Sequence, residues 1–182
     1  DTTLEGKAEL PKVAGYVATG DVETSTKSVE NVKAEDKDIT EKVVYKALGK
    51  YVPVVPEGFT PPTIQDPQYP NNPDDPTKPG TPTTTIPYVP GTTPVGPDGQ
   101  PLKPKVPGDP KQGYEPPAPT TPTGDTTIVY TKDGSQVAVT KFVDTTGKGL
   151  EPSVVDTGDT GKPFTKDADV TAAINKILAR GY

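Results

Sequence analysis

Histidine, cysteine, methionine and tryptophan are all absent from the 182 residues, which leaves carboxylates, lysines, tyrosines and hydroxyls to do any chemistry. Imidazole-based triads and thiol nucleophiles are therefore excluded, and so are the usual nitrogen and sulfur ligands for zinc, iron or copper. A bound metal would have to be a hard cation held by oxygen. The acidic pairs Asp74-Asp75 and Asp156-Thr-Gly-Asp159 supply such oxygens. Neither has EF-hand spacing closed by a bidentate Glu, so a solvated loop is the simpler account of both. Paired carboxylates also raise glycoside hydrolysis, which needs two acids facing each other across a walled cleft. A chain so thin in apolar residues is a poor source of walls. No enzymatic activity, no cofactor and no metal site are expected.

The eight tyrosines are the better candidates for ligand contact, because a flat apolar ring with a polar rim suits the C–H faces of sugars. Tyr16, Tyr88, Tyr114 and Tyr182 form the candidate ligand-binding set. Tyr45 and Tyr130 lie within strand patterns, where packing into a core is the expected role. Tyr69, Tyr88 and Tyr114 sit among prolines and can equally pack against a proline ridge. Lysine–asparagine or lysine–aspartate crosslinks would stiffen a chain without disulfides, but they need a buried lysine beside its acceptor, and the sequence locates no such triad. Threonine richness permits O-linked glycosylation, whereas no Asn-x-Ser/Thr sequon is present.

The charge balance narrows the partners. Lysine and arginine total 19 against 25 acidic residues, a net charge of −6, with Arg180 the sole arginine. Nucleic acid, which calls for a basic patch, is not an expected partner. Nor is membrane insertion, since no apolar run approaches about 20 residues. Without an initiator methionine or a leader, the sequence reads as an internal piece of a longer, repeat-containing chain. Hydrophobic residues make up 30%, below the roughly 45 to 50% apolar usage of an ordinary domain, so a single packed core through all residues is not expected.

Proline divides the chain. Residues 53 to 122 hold 22 of the 25 prolines, and each removes an N–H and biases its predecessor away from the helical region. The expected organisation is a β-rich module over 1–52, a Pro-rich linker over 53–124 and a β-β-β-α module over 125–182. Pro67, Pro70, Pro73, Pro76, Pro79 and Pro82 recur every third residue, as do Pro101, Pro104, Pro107 and Pro110. This is the period of polyproline II, at about 3.1 Å per residue. A straight rod from Pro67 to Pro110 would span on the order of 130 Å, jointed at Gly91, Gly96 and Pro97-Asp98-Gly99. A disordered tether has the same composition.

In the C-terminal module, Thr127–Tyr130 and the turn Lys132-Asp133-Gly134-Ser135 suggest a hairpin with the strand Gln136–Asp144. There Val137, Val139 and Val143 alternate with Ala138, Thr140 and Phe142. After a turn at Thr145–Lys148 and a short Val154-Val155 run, a helix from Thr165 or Asp167 to Arg180 aligns Val170, Ala173, Ile174, Ile177 and Leu178 on one stripe. Asp167 and Asp169 suit its positive end, Arg180 its negative end and Gly181 the left-handed cap. In the N-terminal module, Ala8–Thr19, Val29–Val32 and Asp38–Leu48, the last with Ile39, Val43 and Tyr45 on one side, read as strands. About 50 residues with so few large apolar groups lie near the lower limit for independent folding.

The C-terminal order Val139-Thr-Lys-Phe-Val-Asp-Thr-Thr-Gly-Lys148, then Asp159-Thr-Gly161, then a helix ending Ala179-Arg-Gly-Tyr182, resembles the front half of a mucin-binding (MucBP-type) repeat. Val13-Ala-Gly-Tyr16 with Asp36-Lys-Asp-Ile-Thr-Glu-Lys-Val-Val-Tyr45 is similar to the closing strands of repeats in such proteins. Ile86-Pro-Tyr-Val-Pro-Gly91 and Pro94-Val-Gly-Pro-Asp-Gly-Gln-Pro-Leu102 resemble their inter-repeat segments. The resemblance implies small β-grasp-like modules of α+β, mostly β character. It also implies an extracellular, cell-wall-anchored location on Gram-positive bacteria and non-catalytic adhesion to host mucin or another glycoprotein, with repetition supplying avidity. The alternative is a structural stalk that holds a distal adhesive domain away from the wall. A third possibility is strand addition at an open sheet edge.

Overall fold

Strands dominate the computed structural model, which describes residues 3–19, 26–33, 42–158 and 163–182. Eleven strands and a single helix follow one another along these residues. The fold is mostly β, divided among several small sheets, and it falls into two units.

The first unit comprises Asp1–Leu48 and Tyr69–Thr81. Strands β1 (Thr3–Glu9) and β3 (Thr26–Lys33) pair antiparallel, with a register shift between Leu4 and Gly6. Strands β2 (Tyr16–Thr19) and β4 (Val44–Ala47) form a second antiparallel pair, from Tyr16↔Ala47 to Thr19↔Val44. Val17, Ala18, Leu10, Leu48 and Tyr69 are buried in this unit. Proline-rich chain completes it: the Ala18 amide donates to the Pro76 carbonyl at 2.9 Å, and the Gly80 amide to that of Pro70 at 2.7 Å. Asn71 ties the two stretches together, donating from Nδ2 to the carbonyls of Val13 (2.9 Å) and Tyr16 (3.0 Å) and accepting from the Gly15 amide (2.8 Å). Ile39, expected on the alternating face of Asp38–Leu48, lies outside the described residues.

The second unit comprises Gly49–Gln68 and Pro82–Tyr182. Its central strand is β9 (Thr126–Lys132), flanked by β5 (Tyr51–Val54) in parallel and β6 (Thr92–Val95) in antiparallel register. A parallel pair cannot be closed by a tight turn, so the 71 residues between Val54 and Thr126 must make the crossover. Within them, β7 (Pro104–Val106) and β8 (Asp109–Tyr114) form a small hairpin. Ile128, Val129 and Tyr130 of β9 are buried on successive positions, as befits a strand covered on both faces.

Strands β10 (Gln136–Val143) and β11 (Gly149–Gly158) form a separate antiparallel hairpin, followed by helix α1 (Asp167–Ala179). The hairpin expected between Thr127–Tyr130 and Gln136–Asp144 is thus corrected. The turn at Lys132–Ser135 exists, closed by Ser135 N–H to the Lys132 carbonyl at 3.0 Å, but β9 spends its hydrogen bonds on β5 and β6. β10 turns back instead through Asp144–Lys148, where Asp144 Oδ1 accepts from the Thr146 amide, the Thr146 hydroxyl and the Lys148 amide.

Residues 53–124 differ most from expectation. They do not stand as a linker between a 1–52 and a 125–182 module. They contribute Pro53 and Val54 to β5, all of β6, β7 and β8, and the buried side chains of Ile64, Tyr69, Ile86, Val89, Val95, Leu102 and Tyr114. The physical reason is that proline lacks a donor but keeps its carbonyl. Those carbonyls are used throughout: Tyr51 N–H donates to Pro67 and Gly49 N–H to Pro122, while the Tyr51 and Tyr130 hydroxyls donate to Pro117 and Pro87.

Candidate functional site

The structure separates the four candidate tyrosines by exposure. Tyr16, at the start of β2, is 45% exposed, and Tyr182, beyond α1, is 65% exposed. Tyr88 is half-buried. Tyr114 is buried, its backbone bridged to Ile86 by hydrogen bonds of 2.8 and 3.0 Å. Burial, with the neighbouring Tyr88 and Asp133, pushes its phenol above the ordinary range. Tyr114 therefore serves the core and offers no ring face to a ligand, which removes it from the candidate set. Tyr130 behaves likewise. Burial raises its pKa strongly, so its hydroxyl stays protonated and donates to the Pro87 carbonyl at 2.6 Å. Tyr45, half-buried on β4, donates to the Pro11 carbonyl at 2.7 Å.

Helix α1 presents an apolar surface beside Tyr182. Of the stripe read from the sequence, Ala173 is buried and Val170 and Ile177 are half-buried. Ile174 and Leu178 are 44% and 59% exposed, and Phe164 ahead of the helix is 39% exposed. Positions 174 and 178 are spaced by four, so they lie along one side of the helix. Gly181 takes the left-handed conformation at φ 88°, ending the helix as its position predicts. Arg180 does more than complement the helix dipole: its guanidinium pairs with Glu151 and donates to the Leu150 carbonyl at 2.7 Å, fastening the end of α1 to β11.

One carboxylate of each acidic pair, Asp75 and Asp156, is engaged within the fold. Asn72 Oδ1 accepts from the amides of Asp74 (2.8 Å) and Asp75 (3.0 Å), and Asp75 Oδ1 accepts from the Thr77 amide (2.9 Å) and hydroxyl (2.6 Å). Asp156 is buried on β11 and accepts from the Thr165 amide and hydroxyl, each at 2.6 Å. Burial opposes its charge, but the two Thr165 donors, the Thr157 amide and Lys166 outweigh that cost and hold its carboxyl below the usual range. Asp159 lies outside the described residues. Among the described residues no three acidic side chains converge as a metal site, and from Lys42 to Lys176 no lysine whose burial is described is buried as a crosslink would require. Nor is any described helix long and apolar enough to cross a membrane.

Two clefts open within the second unit, neither visible in the sequence. One, of about 500 Å³, lies over the hairpin face that carries Phe142, with Leu102, Pro117, Lys103 and Lys141 around it. The other, of about 850 Å³, runs between β11, α1 and the chain at Thr123–Tyr130. It is lined by hydroxyl, carboxylate and lysine groups over Val129, Val155 and Ala173, and such a mixture can hydrogen-bond an extended polar ligand. Comparison with protein-family models, curated proteins and solved structures returned no significant match.

Proposed function

We propose that this chain is part of an extracellular, cell-wall-attached adhesin of a Gram-positive bacterium. Its small, β-grasp-like modules bind mucin-type host glycoproteins without catalysis. One observation carries the reading: β10, β11 and α1 follow one another across Gln136–Ala179, ahead of exposed Tyr182, in the chain order of the features on which the resemblance to mucin-binding repeats rests. Exposed Tyr16 on β2 adds a second ring able to stack on a sugar face. Single contacts of this kind are weak, and repetition along a longer chain raises the effective concentration of the next site.

Surface binding to immobilised mucin, before and after enzymatic removal of its glycans and at low and high salt, tests the proposal. The expected outcome is binding that persists in salt and disappears with the glycans, with Tyr182→Ala or Tyr16→Ala weakening it several-fold. Binding that survives deglycosylation sinks the glycan reading. The stalk alternative rested on an extended proline rod, and the burial of Pro94, Ile86 and Tyr114 takes that support away from the segment they occupy.

A further inference from the structure

Three peptide bonds join aspartate to proline: Asp66–Pro67, Asp75–Pro76 and Asp109–Pro110. Bonds of this type are the most acid-labile in a polypeptide, because the aspartate carboxyl can reach its own carbonyl carbon and the proline nitrogen leaves readily once protonated. The fold sets one of the three apart. Asp66 has φ 50° and is the one non-glycine residue at positive φ among the described residues. The left-handed region is unfavourable for any residue with a Cβ. A following proline makes it worse, since the ring Cδ crowds the N–H and Cβ of its predecessor and drives it toward extended backbone at φ of about −120°. The neighbours nevertheless hold this turn in place. Ile64 before it and Tyr69 after it are buried. The Thr84 hydroxyl donates to the Gln65 carbonyl, the Tyr51 amide donates to the Pro67 carbonyl at 2.9 Å, and Lys50 bridges Gln68. Backbone strain persists where its surroundings over-determine it in this way.

The other two aspartates are placed differently. Asp75 Oδ1 accepts from the Thr77 amide and hydroxyl, and Oδ2 lies 3.9 Å from Lys78 Nζ. Asp109 opens β8, where the extended backbone is the one a following proline accepts, and its Oδ2 accepts from the Gln112 side chain at 3.4 Å. Asp66 is exposed, and among the described residues nothing bonds its carboxylate. The segments bonded to its turn bring three other charged groups, none of which engages it. Lys50 is exposed, Asp125 accepts from the Lys50 amide at 3.0 Å, and the Lys105 ammonium donates to the Thr83 carbonyl at 3.0 Å.

We propose that Asp66–Pro67 is a self-cleavage site, which opens in acid ahead of the other two bonds while the chain is folded. A carboxylate oxygen of Asp66 attacks the Asp66 carbonyl carbon and closes a five-membered ring. The C–N bond to Pro67 breaks, and its electron pair takes a proton from solvent to leave Pro67 as an amino terminus. Water then opens the cyclic anhydride, restoring the side-chain carboxyl and giving Asp66 a terminal one, so that one water is consumed overall. Lengthening of the C–N bond parts the proline ring from Asp66, so the crowding in the turn is relieved as the bond breaks. The products are 1–66 and 67–182, and each of the two units contains residues of both. In the second unit β5 of one product stays beside β9 of the other. The cut thus turns a covalent connection into a non-covalent one. This inference does not depend on the glycan reading.

The test holds the full chain at the most acid pH at which circular dichroism still reports the folded state, then denatures samples over time and weighs the products by mass spectrometry. The expected result is that 1–66 and 67–182 accumulate at least about tenfold faster than the products of scission after Asp75 or Asp109, a difference within reach of one strained residue. In urea at the same pH, which frees Asp66 from its turn, that lead should disappear. Asp66→Gly keeps a residue suited to the left-handed turn but lacks the carboxyl, and should lose scission at this bond while retaining it at the other two. Equal rates at the three bonds of the folded chain, a lead for Asp66 that persists in urea, or scission of Asp66→Gly at the same bond would each overturn the proposal. So would a folded chain left intact under conditions that cut the free peptide Thr63–Tyr69.

Discussion

Gly113 and Gly134 both hold positive φ, at 90° and 89°, yet they differ in what surrounds them. A Cβ on Gly134 meets nothing within 4 Å, whereas one on Gly113 would stand 2.3 Å from Thr85 Cγ2 and 3.0 Å from the Ile86 carbonyl oxygen. Gly134→Ala should cost about 1 kcal/mol from backbone strain alone. Gly113→Ala should cost about 2 to 4 kcal/mol, because overpacking adds to the strain and pries apart the Ile86–Tyr114 bridge. Chemical denaturation of the two variants separates the effects, and equal losses would show that the close approach at Gly113 is relaxed at no cost. At the same scale, Asp156→Ala should cost about 2 kcal/mol by removing the buried charged acceptor of the Thr165 amide and hydroxyl. Because the Asp156 carboxyl is held below its ordinary range, its contribution is present above the unfolded pKa of about 3.9 and is lost as pH falls through the folded value. Melting temperatures of wild type and Asp156→Asn should therefore differ most near neutral pH and converge at strongly acid pH. A gap that stays constant would deny the linkage.

At the scale of elements, tyrosine hydroxyls hold proline-rich chain against the strands: Tyr130 reaches Pro87, Tyr51 reaches Pro117 and Tyr45 reaches Pro11. Tyr130→Phe keeps the packing of its ring but leaves a carbonyl without its donor, and should destabilise the second unit by about 1 to 2 kcal/mol. A calorimetric scan that found no change would mean that water replaces the hydroxyl. What the sequence could reveal follows from which interactions are local. Helix α1 and its Gly181 cap were legible because period and capping act within a few residues, and β10 because its alternation is internal. The pairing of β5 with β9 was not legible, since nothing near Tyr51 specifies a partner 75 positions away. The proline segment misled for a related reason. Its triplet spacing records where donors are missing and is silent on which distant amides and hydroxyls will use its carbonyls. Ile64, Ile86, Val89 and Leu102, scattered among the prolines and now buried, were the signal that could have corrected it. Among candidate site residues, exposure sorted Tyr16 and Tyr182 from Tyr114, and the groove beside β11 could not be seen at all because four separated segments build it.

At the scale of the whole molecule, the chain passes between its two units three times, after Leu48, Gln68 and Thr81. Neither 52 nor 124 is a place to cut. A 125–182 fragment keeps β9 but loses β5 and β6, its hydrogen-bonded neighbours on both sides. It should therefore show poorly dispersed amide resonances, whereas the full chain should show well-dispersed ones. A dispersed fragment spectrum would mean that those neighbours are dispensable. The parallel run of β5 beside β9 has one more consequence, for a chain under tension. Pulling ahead of Tyr51 and behind Lys132 drags these strands in opposite directions along their length, so the ladder joining their four register pairs is loaded at once. β10 and β11 are pulled from the adjacent ends Gln136 and Gly158, and open one pair at a time like a zip. A stretched molecule thus has a yielding section and a stiff one in series: it pays out β10, β11 and α1 first, then holds at β5 and β9.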